Sequence, residues 1–140
     1  MPALRTYKLF ISHAWRYNED YNRLVEFLRG APNFEHKNLS VPSHAGIVAD
    51  DTDELKRLLR NQMRPANAFL VIGGMYAAHS DWIDFEIDFS NYIGRPIIGI
   101  YPWGSERMPR VIQDAADVLV GWNTSTIVDA IRSHALPDGR

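Results

Sequence analysis

Ala68-Phe69-Leu70-Val71-Ile72-Gly73 is the stretch on which the fold turns. Its first five residues are apolar at every position, so neither face of the segment suits water. A strand greasy on both faces belongs in the middle of a parallel sheet that helices cover. Gly73-Gly74 ends it, and a helical pattern follows over Asp81 to Ile93, with Ser80 as its expected cap. Pro96 to Tyr101 (PIIGIY) is the next apolar strand. Pro109 to Ala116 then reads as a short helix with Pro in its first turn. Asp117 to Val120 is a fifth strand, and Ser125 to His134 a closing helix.

The same alternation runs upstream of Ala68. Tyr7 to Ser12 (YKLFIS) reads as the first strand. Tyr17 to Arg29 reads as a helix with Leu24, Val25, Phe27 and Leu28 inward and Asn18 as a cap. Lys37 to Val41 is a short second strand, and Pro42 to Ala49 a loop rich in breakers. Asp51 to Met63 is the second helix, with Asp51 and Glu54 at capping-box spacing. Five strand–helix alternations predict an α/β fold with a five-stranded parallel sheet and helices on both faces, in the flavodoxin-like order 2-1-3-4-5. Such sheets bind ligands beyond the carboxyl ends of their strands, near the switch in strand order. The expected crevice therefore borders Ser12 to Arg16, Pro42 to Ala45 and Gly73 to Trp82. No repeat, low-complexity tract or linker interrupts the chain, so one domain over residues 1–140 is expected, its core from about Tyr7 to His134.

The bulk composition excludes several classes. With 15 basic and 17 acidic residues, the formal charge is −2. That gives no electrostatic grip on nucleic acid or on an anionic membrane. There are no cysteines, which excludes disulfides, thiolate metal sites and cysteine nucleophiles. No run approaches the ~20 apolar residues of a membrane helix, and the N-terminus has no apolar leader, so a cytoplasmic protein is expected. The five histidines are scattered without ligand spacing, so no metal site is expected. Asp50, Asp51, Asp53 and Glu54 could hold a divalent cation, but acidic residues at a helix start also complement the macrodipole, the preferred reading.

One residue breaks the pattern of the third helix. With Trp82 at zero on a wheel of about 100° per residue, Ile93, Glu86 and Ser90 fall at about 20°, 40° and 80°. Phe89, Phe85 and Tyr92 lie just to the other side, and Asp84, Asp88 and Asn91 gather opposite. Glu86 is thus a carboxylate inside an apolar arc. Burying it ionised is costly unless something pairs with it. Two readings stand: Glu86 reaches solvent at the edge of the stripe, or it lines the crevice beside which its helix begins.

Taken together, these segments resemble a Toll/interleukin-1 receptor (TIR) domain, and more narrowly the bacterial TIR-like family of Thoeris anti-phage defence, the ThsB group. Tyr7-Lys8-Leu9-Phe10-Ile11-Ser12-His13 is similar to the opening TIR box, with Lys8 where many TIR domains carry an acidic residue. Ser80-Asp81-Trp82-Ile83-Asp84-Phe85-Glu86 resembles the segment bearing the catalytic glutamate of NAD-consuming TIR domains. Gly94 to Ile100 with Pro102-Trp103-Gly104, and Ala116 to Asn123, are similar to the ThsB group in particular. The resemblance runs from about Tyr7 to about His134.

The resemblance implies an enzyme that cleaves the bond between nicotinamide and ribose in NAD, as NAD glycohydrolase or ADP-ribosyl cyclase, with Glu86 as catalytic residue. NAD is then the substrate, and no cofactor is required. The ThsB group further implies a cyclic ADP-ribose isomer that signals to a separate effector protein. Expected substrate-binding residues are Ser12, His13, Trp15 and Arg16 after strand one, Ser43 and His44 in the loop after strand two, and Ser80 and Trp82 before Glu86. Trp82 is either a stacking platform or core. His13 is either a phosphate or ribose partner or a polar strand end. Arg16 is either a pyrophosphate partner or a surface arginine. A different class also fits the resemblance: a catalytically silent TIR-like module that works by binding other proteins. Self-association through TIR surfaces is a further implied partnership.

No G-x-G-x-x-G follows strand one, and there is no P-loop or G-x-S-x-G elbow, so a Rossmann dinucleotide fold, a P-loop nucleotidase and an α/β-hydrolase are not indicated. Gly73 stands where a phospho-receiver needs Asp, and His13-Ala14-Trp15-Arg16 is no flavodoxin phosphate loop.

Overall fold

Every residue of the middle strand, β3 (Ala68–Ile72), is buried, at 2% exposure or less. β3 pairs in parallel with β1 (Thr6–Ser12) on one side and β4 (Ile97–Ile100) on the other. β2 (Glu35–Asn38) extends the sheet beyond β1, and β5 (Val118–Val120) beyond β4. The order is β2-β1-β3-β4-β5, all parallel, as expected from the alternation. The helices are α1 (Glu19–Arg29), α2 (Thr52–Met63), α3 (Tyr76–Tyr92), α4 (Arg110–Ala115) and α5 (Thr124–His134). The computed structural model describes residues 6–12, 19–39, 52–73, 76–101 and 108–135, without the side chains of 12, 19–21, 52–55, 76–82 and 124. The expected Asn18 cap, the Asp51–Glu54 box, the loop after β2 and the final residues lie outside that description.

Right-handed crossovers decide which face each helix covers. The step from β1 to β2 goes one way, and the later steps go the other. So α1 covers one face, and α2, α3 and α4 the other; α5, after the last strand, packs beside α1. The contacts agree. Phe27 of α1 meets Trp122, just past β5, edge to face at 5.5 Å, and Arg132 of α5 donates to the Asn33 carbonyl after α1 at 2.8 Å. On the other face, Lys56 and Arg60 of α2 lie over the Phe85 ring of α3.

Two side chains pin the sheet at its base. Asn67, buried at 6% exposure, accepts the Lys8 N–H on Oδ1 at 2.8 Å, and its own N–H donates to the Lys8 carbonyl at 2.7 Å. Asp117 does the same to Ile97: Oδ2 accepts its N–H at 2.8 Å, and the Asp117 N–H donates to its carbonyl at 2.8 Å. In each case the side chain stands in for a backbone carbonyl one residue before a strand begins.

The ends of two elements differ from expectation. β2 begins at Glu35 rather than Lys37 and ends at Asn38 rather than Val41. As an edge strand it is mostly exposed, so its apolar signal falls on Leu39, which is buried after the strand ends and donates to the Leu9 carbonyl at 2.8 Å. α3 begins at Tyr76 rather than Asp81. Tyr76-Ala77-Ala78 suits a helix, Ala being the best helix former, so Ser80 is an interior residue and not the cap.

The end of α3 is a Schellman motif. Gly94 takes a left-handed φ of 71°, its N–H donates to the Asn91 carbonyl, and the Arg95 N–H reaches the Ser90 carbonyl at 2.9 Å. Arg95 then ties two helix ends together, donating to the carbonyls of Ile93 and of Arg64, both at 2.9 Å.

Gly99 sets how closely α4 approaches β4. A Cβ there would lie 2.7 Å from Leu119 Cδ2 and 3.1 Å from Ile112 Cγ2. Gly99→Val is therefore expected to cost about 1–3 kcal/mol by overpacking, read as a lowered denaturant midpoint at unchanged m-value. An unchanged midpoint would refute the close approach.

At the β2 edge, His36 stacks on Phe34 at 5.6 Å, which stacks on Tyr7 at 5.4 Å. Burial lowers the His36 pKa below its ordinary 6.5, and the Arg29 charge lowers it further. The folded state therefore resists protonation that the unfolded chain accepts. Stability from this site is complete above about pH 6.5 and declines as pH falls. Thermal melts between pH 7.5 and 5 should show Tm falling less steeply in His36→Gln than in wild type; parallel slopes would count against this assignment.

Candidate functional site

The sheet brings several chain segments to one edge. Ser12 closes β1 directly opposite Val71 of β3, and Ile72 lies opposite Ile100 of β4. Gly73 follows, buried. Across β4 and β5 the edge is tied by Trp122, whose Nε1–H donates to the Tyr101 carbonyl at 2.6 Å. The sequence reading did not single out this bond. Its signal was an indole two residues past a short strand, where a buried N–H needs an acceptor.

His13, Trp15, Arg16, Ser43 and His44 lie outside the described residues. Ser12 is placed at the end of β1, and Ser80 and Trp82 within α3, with side chains outside the description. Glu86 is described in full. It is 4% exposed, one of three buried polar residues with Asn67 and Ser90 among the described ones. The solvent-edge reading of Glu86 does not hold in this fold.

The wheel explains why. Ile83, Glu86, Ile87, Phe89 and Ser90 are all buried, spanning about −20° to 140° with the centre near Ser90. Glu86 at about 40° is well inside that arc. Tyr92, at about −80°, falls outside it and is 82% exposed, although the sequence grouped it with the apolar residues. Ser90, at the centre, satisfies its hydroxyl by donating to the Arg95 carbonyl at 3.1 Å. Glu86 also has a polar or electrostatic contact and is not a bare buried charge.

The contacts orient the arc. Phe85 and Phe89 face α2, because Lys56 and Arg60 lie over Phe85, and Arg64 over Phe89 at 5.2 Å. Ser90 and Ile83 face the sheet. Glu86 falls between these directions, so it points into the seam where α2, α3 and the sheet meet, on the β1 side of α3. β1 and β3 are the strands at which the strand order switches. The longer α3 changes the depth: Glu86 lies roughly 15 Å of helix rise from Tyr76, deeper along the helix than a start at Asp81 implied.

Such a seam can hold a fixed negative group away from water, where it acts more strongly on nearby charge than at the surface. Among the described residues no group of three or more His, Asp or Glu could hold a metal ion. Nor is any described helix long and apolar enough to cross a membrane.

Residues 10–107 match the family model described as Thoeris protein ThsB, TIR-like domain. No curated protein matches the sequence. Among solved structures the chain is similar to a CMP N-glycosidase from Clostridium botulinum, at 16% identity over 90% of this chain and 98% of that one, with a TM-score of 0.53. It is less similar to a 3-dehydroquinate dehydratase-like protein from Bifidobacterium longum, at 12% identity over 92% and 94% of the two chains, with a TM-score of 0.47. Such low identities establish the architecture alone.

A buried carboxylate held for chemistry should be a burden on the fold. Glu86→Met keeps the length of the side chain and removes its charge, so Tm should rise by about 2–4 °C, a gain on the order of 1 kcal/mol. A fall of similar size would mean that Glu86 is held for stability.

Proposed function

The chain belongs to the Thoeris ThsB TIR-like family, and on that premise we propose that it cleaves the nicotinamide–ribose bond of NAD, with Glu86 as the catalytic carboxylate. The observation that carries this reading is the burial of Glu86 within the apolar arc of α3, at 4% exposure, on the side of the strand-order switch.

Nicotinamide leaves as a neutral base and takes the bonding pair with it. Positive charge then develops on C1′ and the ring oxygen of the ribose. A carboxylate held beside that sugar interacts more strongly with the transition state than with the ground state, which is what lowers a barrier. The same carboxylate can accept hydrogen bonds from the ribose hydroxyls and orient the ring. One carboxylate suffices for this chemistry, unlike glycoside hydrolysis with its pair. Attack by water gives ADP-ribose and a proton. Attack by a nucleophile of the same molecule gives a cyclic ADP-ribose isomer and a proton, and we assign the chain this second outcome. The cyclic product would act as a diffusible signal to a separate effector in anti-phage defence. Ser12, His13, Trp15, Arg16, Ser43, His44, Ser80 and Trp82 are the proposed substrate contacts.

The test follows nicotinamide and the ADP-ribose products by chromatography, with and without extract of phage-infected cells. Wild type should release nicotinamide together with a cyclic product. Glu86→Gln should lose about 10²-fold or more of the rate while retaining its fold. Equal turnover by both proteins would remove Glu86 from the chemistry. Linear ADP-ribose alone would remove the cyclase assignment. No turnover by wild type under either condition would favour a silent protein-binding module.

A further inference from the structure

The line of α2 that faces α3 carries Lys56 and Arg60, one turn apart, and Arg64 continues it just past the helix end, with no carboxylate among the three. Lys56 Nζ lies 5.5 Å from the centre of the Phe85 ring, and Arg60 Cζ lies 5.7 Å from the same centre. Neither has a carboxylate partner among the described residues, although the chain carries more acidic than basic residues. Like charges one turn apart on a helix repel. Here two of them are drawn to one ring, whose face offsets the repulsion only in part. Both are half-buried, so each has given up some hydration. Two converging, partly desolvated cations with no carboxylate partner among the described residues form a place for an anion with two negative groups.

Phe85 immediately precedes Glu86, and the two diverge by about 100° on α3. One faces the α2 cations, and the other turns into the seam toward the sheet. Lys56 lies about 6 Å of helix rise from the start of α2. α2 begins after the loop that leaves the carboxyl end of β2, so Lys56 is nearer the crevice than Arg60.

We propose that Lys56 and Arg60, converging on Phe85 beside Glu86, form the subsite for the diphosphate of a dinucleotide whose reacting ribose lies against Glu86. This rests on the NAD reading and adds a recognition element to it. Lys56 supplies a mobile point charge, and Arg60 a planar fork suited to two phosphate oxygens. The subsite binds the part of the substrate that does not react. Its loss should therefore raise KM far more than it lowers kcat.

The test uses the full chain with Lys56→Gln, Arg60→Gln and the double substitution, each checked for a native melt. KM for NAD should rise about tenfold per substitution, with kcat within about threefold. Nicotinamide riboside, which lacks phosphate, is the control, and its cleavage should be unchanged. Equal loss on both substrates, or an unchanged KM for NAD, would overturn the subsite and leave the proposed activity standing. Inorganic pyrophosphate, followed by amide shifts of α2 and α3, reads the site without turnover. Binding by wild type that is lost in the double variant supports the subsite even where NAD is not cleaved. No shift at millimolar pyrophosphate overturns it.

Discussion

The register of the sheet rests on two polar side chains at its base. A parallel sheet buried on both faces gives up the usual device for fixing register, in which a one-residue slip turns apolar residues outward. β3 and β4 are apolar at almost every position, so a slip along them would cost little in burial alone. Asn67 supplies such a penalty between β3 and β1, and Asp117 between β5 and β4. Each meets both backbone groups of one residue on the neighbouring strand, with bonds of 2.7–2.8 Å. A slip of β3 against β1 would break the first and strand the buried Asn67 side chain, which costs more than the bonds themselves contribute, and a slip of β5 against β4 would break the second. The arrangement at the far end of the sheet depends on this. Ser12 is opposite Val71, and α3 starts beyond Ile72, in the register that the Asn67 bracket holds between β1 and β3.

The strands with both faces buried were legible in the sequence to within a residue, because nothing but a central strand suits AFLVI or IIGI. β2 was not, because an exposed edge strand carries almost no apolar signal, and its neighbour Leu39 carries a misleading one. The start of α3 was missed for a related reason: a Ser with capping chemistry outweighed an Ala-Ala pair with high helix propensity but no pattern. The wheel still placed Glu86 inside the apolar arc, since angular position depends on spacing and not on where a helix starts. Depth does depend on the start, and a start at Asp81 sets Glu86 too near the helix end. The bracket by Asn67 was invisible, because an Asn before a strand is an ordinary turn residue until its partner on another strand is known.

Glu86 gains its interest from cost. Three polar residues among those described are buried, and two have plain structural work: Asn67 brackets Lys8, and Ser90 satisfies the end of α3. Glu86 sits one turn before Ser90, where an apolar side chain would continue the run of Ile83 and Ile87 without penalty. A carboxylate kept there must offset its desolvation through hydrogen bonds or through what it does to a ligand. Water exclusion, which makes the residue expensive to the fold, is also what makes its charge effective.

The α2–α3 pair then sets two cations over one aromatic ring and a carboxylate at the next position of the same helix. Lys56 and Arg60 lie over Phe85, and Glu86 turns from the next position toward the sheet. A neutral or uniformly charged ligand gains nothing from such a division. A molecule with a cationic glycosyl carbon in its transition state and a diphosphate a few bonds away matches both signs at once. The match also favours one orientation, since reversing the ligand sets phosphate against Glu86 and the developing cation against two positive charges. Under the proposed reaction, binding energy gathered at the cations would hold the ribose against the carboxylate, so that an interaction remote from the breaking bond serves the step at that bond.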